Sequence, residues 1–162
     1  LDVVVNGDIG CYTLAVLPPY SAMHSQGCMG ASIGMHSGFE KARGDEMARN
    51  SVAVIGDSTF VHSGITPLID LVYNKGTGTV IILDNRVTAM TGHQDHPATG
   101  KTLTGEDTHE LDLELLCKAV GVKRVRKLDP KNMDEFEKAV KEEIAAKEPS
   151  VIISLRKCIL KK

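Results

Sequence analysis

The sequence predicts an α/β fold with a mostly parallel sheet and helices on both faces. Three observations point to it. Short apolar runs of strand length recur along the chain, and stretches of helical periodicity separate them, which is the pattern of β-α-β units. Polar residues also follow directly on two of the apolar runs, where open α/β sheets place their ligands.

The first strand is expected over Asp2 to Asn6, and later ones over Val52 to Ile55, Thr79 to Leu83, Lys123 to Leu128 and Ser150 to Ser154. A stretch rich in small residues, Met29 to Ala42, has weak helix propensity; as a helix it needs close packing against another backbone or a ligand. Thr66 to Asn74 places Leu68, Ile69, Leu71 and Val72 at helical spacing, with Pro67 in the first turn and Gly76 beyond the end. Leu111 to Val120 and Met133 to Ala146 repeat the amphipathic pattern and stop at Gly121 and Pro149. The Lys and Glu residues from Lys131 to Lys147 read as a solvated helix face. Arg86 to Thr108 is long, aperiodic and rich in Gly, Thr and His, the composition of a functional loop.

A chain of 162 residues has room for one domain, residues 1–162. With 42% hydrophobic and 25% charged residues the class is globular, and a net charge of −2 gives no reason to expect nucleic acid or an anionic membrane as partner. The longest apolar runs are strand-sized, too short to span a bilayer. Cys11, Cys28, Cys117 and Cys158 form no C-x-x-C pair, which argues against a disulfide framework or a metal cluster and for a reducing cytoplasm. The first residues lack a methionine and open into a core strand, so the expectation is a domain cut from a longer chain.

The chemistry concentrates after Val52-Ala53-Val54-Ile55, where Gly56-Asp57-Ser58 follows the strand, and after the next strand, which ends in Asp84-Asn85. Asp57 and Asn85, with the main-chain carbonyl of Val87, would give hard oxygen ligands to Mg²⁺, with diphosphate oxygens and water completing an octahedron. Gly56 permits close backbone approach, and the N–H groups of Ser58 and Thr59 can face the anion. Alone, Gly-Asp-Ser is more often a turn and helix cap. Two other readings fall away. His93-Gln94-Asp95-His96 lacks further ligands at zinc spacing, and Gly76-Thr77-Gly78 precedes a strand, the wrong context for a dinucleotide fingerprint.

Gly-Asp-x followed by 26 residues and Asn, in strand-helix-strand order, resembles the thiamine-diphosphate signature, although Ser58 stands where that signature usually has Gly. The flanks narrow the resemblance. Val54 to Ile65, with Phe60-Val61-His62, then Thr88-Ala89-Met90-Thr91-Gly92-His93-Gln94 and His96-Pro97, are similar to the large subunit of the indolepyruvate:ferredoxin oxidoreductase family. So are Gly7-Asp8-Ile9-Gly10-Cys11-Tyr12-Thr13-Leu14 and Gly27-Cys28-Met29-Gly30. Related pyruvate:ferredoxin enzymes share the Asn-x-x-x-x-Met-Thr-Gly-x-Gln frame but less of the His62 segment.

The resemblance implies a thiamine-diphosphate-binding fold and oxidative decarboxylation of a 2-oxo acid, an arylpyruvate, to its acyl-coenzyme A ester. Asp57, Asn85 and Val87 would hold Mg²⁺, Ser58, Thr59 and Thr91 would contact the diphosphate, and Gly56 and Met90 would also meet the cofactor. Gly10, Cys11 and Met29 would lie near its rings, while His62, His93 and Gln94 would serve the substrate side. The implied partners are a second thiamine-diphosphate domain, a second subunit, coenzyme A and ferredoxin, with iron–sulfur clusters outside this chain. The loop from Arg86 is expected to have metal and phosphate as its only strong anchors. The glutamate that activates the cofactor's aminopyrimidine is expected on another domain, since Glu106 and Glu110 sit in a polar run, so this chain alone should be inactive. A non-redox thiamine-diphosphate decarboxylase and a non-catalytic nucleotide- or partner-binding α/β module stay open as alternatives.

Overall fold

In the computed structural model, which describes residues 3–44 and 50–160, six parallel strands form one sheet. They are β1 (Val4–Gly7), β2 (Ser25–Gln26), β3 (Ser51–Gly56), β4 (Thr79–Asp84), β5 (Arg124–Leu128) and β6 (Ser150–Leu155), in the order β2-β1-β3-β4-β6-β5. Asp2, expected in the first strand, lies outside the described residues. The central strands are Val- and Ile-rich because both faces are covered, as parallel sheets require. Their register aligns Ile55 with Ile82 and Ile82 with Ile153.

The two faces are unequal. Helix α1 (Ala31–Arg43), a second helix that follows β3, and α3 (Leu113–Ala119) cover one face over Ile33, Ile55, Phe60, Leu68, Val80, Ile82 and Ile153. Helix α4 (Met133–Ile144) covers the other through Ile144, Phe136 and Val140 over Val52 and Ile81.

The second helix differs from expectation. It does not start near Thr66 but runs unbroken from the end of β3, through Asp57–Thr59, a π-helical turn at Phe60–Gly64, and Ile65–Tyr73; together these are α2. Pro67 is therefore interior. Its ring would press on the carbonyl four residues back in a regular helix, and the π-turn breaks the α-helical ladder just ahead of it. Strand β2 is also unexpected, because two polar residues carry no periodicity. Asn6 holds it in place: its side-chain carbonyl accepts from Ser25 Oγ at 2.7 Å while its amide donates to Val52 O at 3.2 Å.

The polar face assigned to 131–147 needs a correction at Glu143. Glu137 and Lys141 do pair on the exposed side of α4, but Glu143 is fully buried. Arg124 and Arg126, two residues apart on β5 and so on one face, close on it, with Arg124 Nε 2.7 Å and Arg126 Nε 2.6 Å from its oxygens. Two guanidinium groups make burial of this carboxylate tolerable.

His36 is fully buried on α1, with Nδ1 2.9 Å from Ser51 Oγ. Its Nε2 lies where a Cβ on Gly78 would be, 1.9 Å away, so the glycine before β4 makes room for the ring. Burial lowers the His36 pKa from 6.5 to about 4. A lowered folded-state pKa means that the unfolded chain takes the proton first. The stabilisation is complete above pH 6.5 and falls as the pH drops toward 4, by about 1.4 kcal/mol per pH unit for one such group. The urea midpoint of the chain should therefore decline across that window, and His36→Gln should remove this component of the slope; an identical slope in the variant would contradict it.

Candidate functional site

From β1 the chain turns outward to β2, whereas from β3 it turns the other way to β4, so a crevice opens between the carboxyl ends of β1 and β3. A cleft of about 260 Å³ lies there, lined by residues 9–12, 29, 56–59, 83, 85 and 87–91. It brings together all eleven residues expected at the cofactor: Gly10, Cys11, Met29, Gly56, Asp57, Ser58, Thr59, Asn85, Val87, Met90 and Thr91.

Asp57 is the most constrained of them. Only 2% of it is exposed. Its Oδ1 accepts the N–H of Ser58 at 2.8 Å and its Oδ2 accepts the N–H of Arg86 at 2.8 Å. The Ser58 N–H, expected to face an anion, is thus engaged by Asp57, and the hydroxyl is the part of Ser58 left toward the cleft; its oxygen accepts from Thr88 Oγ1 at 2.8 Å. Asp84 is equally buried beside Asp57. Burial pushes its carboxyl up to about 6 against the pull of Arg86, and the neighbouring Asp57 adds to the push. Asn85 turns its side-chain oxygen onto the N–H of Val87 at 3.1 Å, fixing the short turn that carries both oxygens assigned to the metal.

Two carboxyl groups buried together beside a single guanidinium form a place where a further cation is stabilised. His96 lies against the same carboxylate. The residue is 8% exposed, Nδ1 accepts the Ala98 N–H at 3.3 Å, and Nε2 lies 3.2 Å from Asp57 Oδ2 without a well-aligned acceptor. Among the described residues no three His, Cys, Asp or Glu side chains gather as a metal-binding group. A cation here would be held by one carboxylate, one amide oxygen and one main-chain carbonyl, the remaining positions falling to a ligand and water. That donor set suits Mg²⁺, which keeps several non-protein oxygens.

The loop after β4 is anchored by protein, contrary to the expectation that metal and phosphate alone would hold it. Arg86, with φ +60°, donates from Nη1 to Ala98 O at 3.0 Å, pairs with Glu110 and places Nε 3.2 Å from Asp84 Oδ1. Thr88 and Gln94 form an isolated bridge, as do Lys101 and Asp107. The expected substrate-side residues stand outside the lining. His62 is exposed on the π-turn, His93 is exposed with φ +64°, and Gln94 folds back on Thr91, accepting from its hydroxyl at 2.7 Å and donating to its carbonyl at 2.8 Å.

Sequence reasoning assigned no role to Tyr12, Asp8, Arg86 or His96. Tyr12 crosses from the β1 turn to the end of β3, where its phenol oxygen accepts the Gly56 N–H at 3.0 Å. Burial, reinforced by Asp8, raises the phenol's pKa and keeps it protonated. Asp8, Tyr12 and His96 do stand within the motifs that carry the family resemblance, whereas Arg86 stands between two of them with no signal of its own.

A parallel sheet with acidic and amide oxygens at the ends of two adjacent strands, facing a switch-point crevice, defines a diphosphate-type cofactor domain. The model of the family described as thiamine pyrophosphate enzyme, C-terminal TPP binding domain, matches residues 8–154, and the chain belongs to that family. It is 40% identical over 159 residues to the indolepyruvate oxidoreductase subunit IorA of Methanothermobacter thermautotrophicus, and 36% identical to that of Archaeoglobus fulgidus, with 98% of this chain aligned. The chain spans about a quarter (25%) of those relatives. Its fold is shared with a 2-oxoglutarate:ferredoxin oxidoreductase from Magnetococcus marinus, solved with 2-oxoglutarate, coenzyme A and succinyl-CoA bound. There the TM-score is 0.81 at 14% identity, over 97% of this chain and 55% of that one. A 4-hydroxybenzoylformate decarboxylase of Rhodococcus jostii shares it with a TM-score of 0.63 at 20% identity, over 96% of this chain and 30% of that one.

Tyr12→Phe should leave the Gly56 N–H without its acceptor and cost about 1–2 kcal/mol. Denaturant unfolding reads this directly, and an unshifted midpoint would show that the phenol is dispensable.

Proposed function

We propose that this chain is the domain that holds the diphosphate of thiamine diphosphate and its Mg²⁺ in an indolepyruvate-type 2-oxoacid:ferredoxin oxidoreductase. The observation that supports it most is the pairing of buried Asp57 with Asn85 at the ends of adjacent strands, inside the cleft of a chain of this family. Asp57, Asn85 and the carbonyl of Val87 would hold the ion. The Ser58 hydroxyl, Thr59 and Thr91 would meet the diphosphate, and Gly10, Cys11, Met29 and Met90 would line the cofactor's length.

When bound, thiamine diphosphate supplies the electron sink for decarboxylation of a 2-oxo acid. The work of this chain is binding and orientation. Asp57, fixed by two main-chain N–H groups, presents its charge without having to reorganise. Tyr12 and Gly56 hold the β1 turn against the end of β3, keeping the ring-side wall at a set distance from the metal. Coenzyme A, ferredoxin, the iron–sulfur clusters, the activating glutamate and a second subunit belong, on this reading, to the rest of a cytoplasmic enzyme. His62, His93 and Gln94, exposed and outside the lining, would serve the substrate side. No described helix is long and apolar enough to cross a membrane.

In the full-length protein Asp57→Ala should abolish Mg²⁺-dependent binding of thiamine diphosphate, because the diphosphate would lose the anionic ligand of its metal. Calorimetry with and without Mg²⁺ decides the matter. Unchanged affinity in a folded variant would remove the metal-site assignment.

A further inference from the structure

Gly30 occupies the N-cap of α1 in the left-handed region, with φ +85°, and a Cβ there would fall 2.0 Å from Ser63 Oγ. The position therefore demands glycine, and glycine has no side chain with which to cap the helix. At the start of α1 the Ala31 N–H goes to the Cys28 carbonyl, but two neighbouring N–H groups find their acceptor 22 to 24 residues earlier in the chain, where Asp8 Oδ1 takes the Gly30 N–H at 2.8 Å and Asp8 Oδ2 takes the Ser32 N–H at 3.0 Å. Oδ1 also takes the N–H of Ile9 at 2.8 Å, and the carbonyl of Asp8 accepts from Thr13 Oγ1 at 2.8 Å. Thr13 Oγ1 in turn accepts the N–H of Gly10 at 3.0 Å. Asp8 is fully buried and does not line the cleft.

We infer that Asp8 is a positioning residue that locks two separate segments, the Gly10–Tyr12 turn and the Met29–Gly30 start of α1, into one wall of the cofactor cleft. Capping the helix and assembling the wall are a single event, because one carboxylate makes both sets of bonds. A negative charge at the helix start is favourable for the helix as well, so the same group stabilises α1 and aims Met29. The bonds of Asp8 go to Ile9, Thr13, Gly30 and Ser32, all on this side, whereas the opposite wall is built from β3 and β4 around Asp57 and Asn85. The inference rests on the proposed function in one respect: the wall locked by Asp8 would face the rings of thiamine diphosphate, and the other wall its diphosphate and metal.

The test uses the full-length protein and two probes, Mg²⁺ with inorganic pyrophosphate and Mg²⁺ with thiamine diphosphate. Asp8→Asn keeps the shape but turns an amide donor toward one of the N–H groups, and Asp8→Glu keeps the charge but displaces the oxygens. Both variants should weaken thiamine diphosphate by about tenfold or more, the size expected for losing a charge-assisted bond, while pyrophosphate affinity stays within about twofold. Amide exchange at Ile9, Gly30 and Ser32 should accelerate together in each folded variant. Equal loss of both probes would make Asp8 a merely structural residue and overturn the inference, as would unchanged thiamine diphosphate binding. Should one variant fail to fold, the other decides. If the wild-type protein binds neither probe, the proposed function falls on its own, and exchange still judges the lock: unaltered protection at Gly30 and Ser32 would refute it.

Discussion

The architecture of the cleft depends on the burial of the Asp57 carboxylate at the end of β3. An ionised group out of water needs donors or counter-charge, and each one here is brought by a different segment. Ser58 supplies a main-chain N–H from the start of α2 and Arg86 supplies another from the end of β4, while His96 from the long loop packs Nε2 3.2 Å away without an aligned hydrogen bond. To aim its N–H at Asp57, Arg86 stands at φ +60°, a conformation that a bulky residue adopts at a cost. The guanidinium then reaches Asp84, Ala98 and Glu110, so the residue that satisfies the carboxylate also ties down the loop. Without the negative charge the Arg86 N–H would lose its closer acceptor, and the loop one of its anchors.

Much of this architecture was legible in the residue pattern, for a physical reason. In a parallel sheet the strands are buried on both faces, so they read as continuous apolar runs, and the first polar residue after each run marks the carboxyl edge where ligands bind. Asp57 and Asn85 sit at such edges, and the cleft residues on β3 and β4 follow within a few positions. What stayed hidden are contacts between segments distant in sequence. Tyr12 reaches Gly56 and Asp8 reaches Gly30, and no local period records either pairing. Glu143 misled for a similar reason, since its helix reads as a charged surface until β5 brings two arginines under it. The π-turn escaped notice because Pro67 reads equally well in a first turn as in an interior that has been locally unwound. His62, His93 and Gln94 entered through the resemblance alone, and none lies in the lining.

The cleft is also graded in chemistry along its length, and the gradient follows from how each wall is made. On the β3 and β4 side the main chain ends in carboxylate, amide and hydroxyl groups, and Asp84 and Arg86 stand behind them as a second charged layer. On the β1 and α1 side the lining is Ile9, Gly10, Cys11, Tyr12 and Met29, the Tyr12 phenol oxygen being taken by the Gly56 N–H and the Asp8 carboxylate lying behind the surface, consumed by main-chain donors. A ligand with an anionic end and an uncharged end has only one favourable orientation in such a slot. Reversing it would set phosphate against Ile9, Met29 and a phenol whose oxygen is already engaged, where no carboxylate-held cation offsets the lost water. The placement of the carboxylate, amide and hydroxyl groups on one wall thus favours one orientation, and the hydrogen bonds of Tyr12 and Asp8 set the distance between the two walls, which is the quantity a cofactor of fixed length would require of its site.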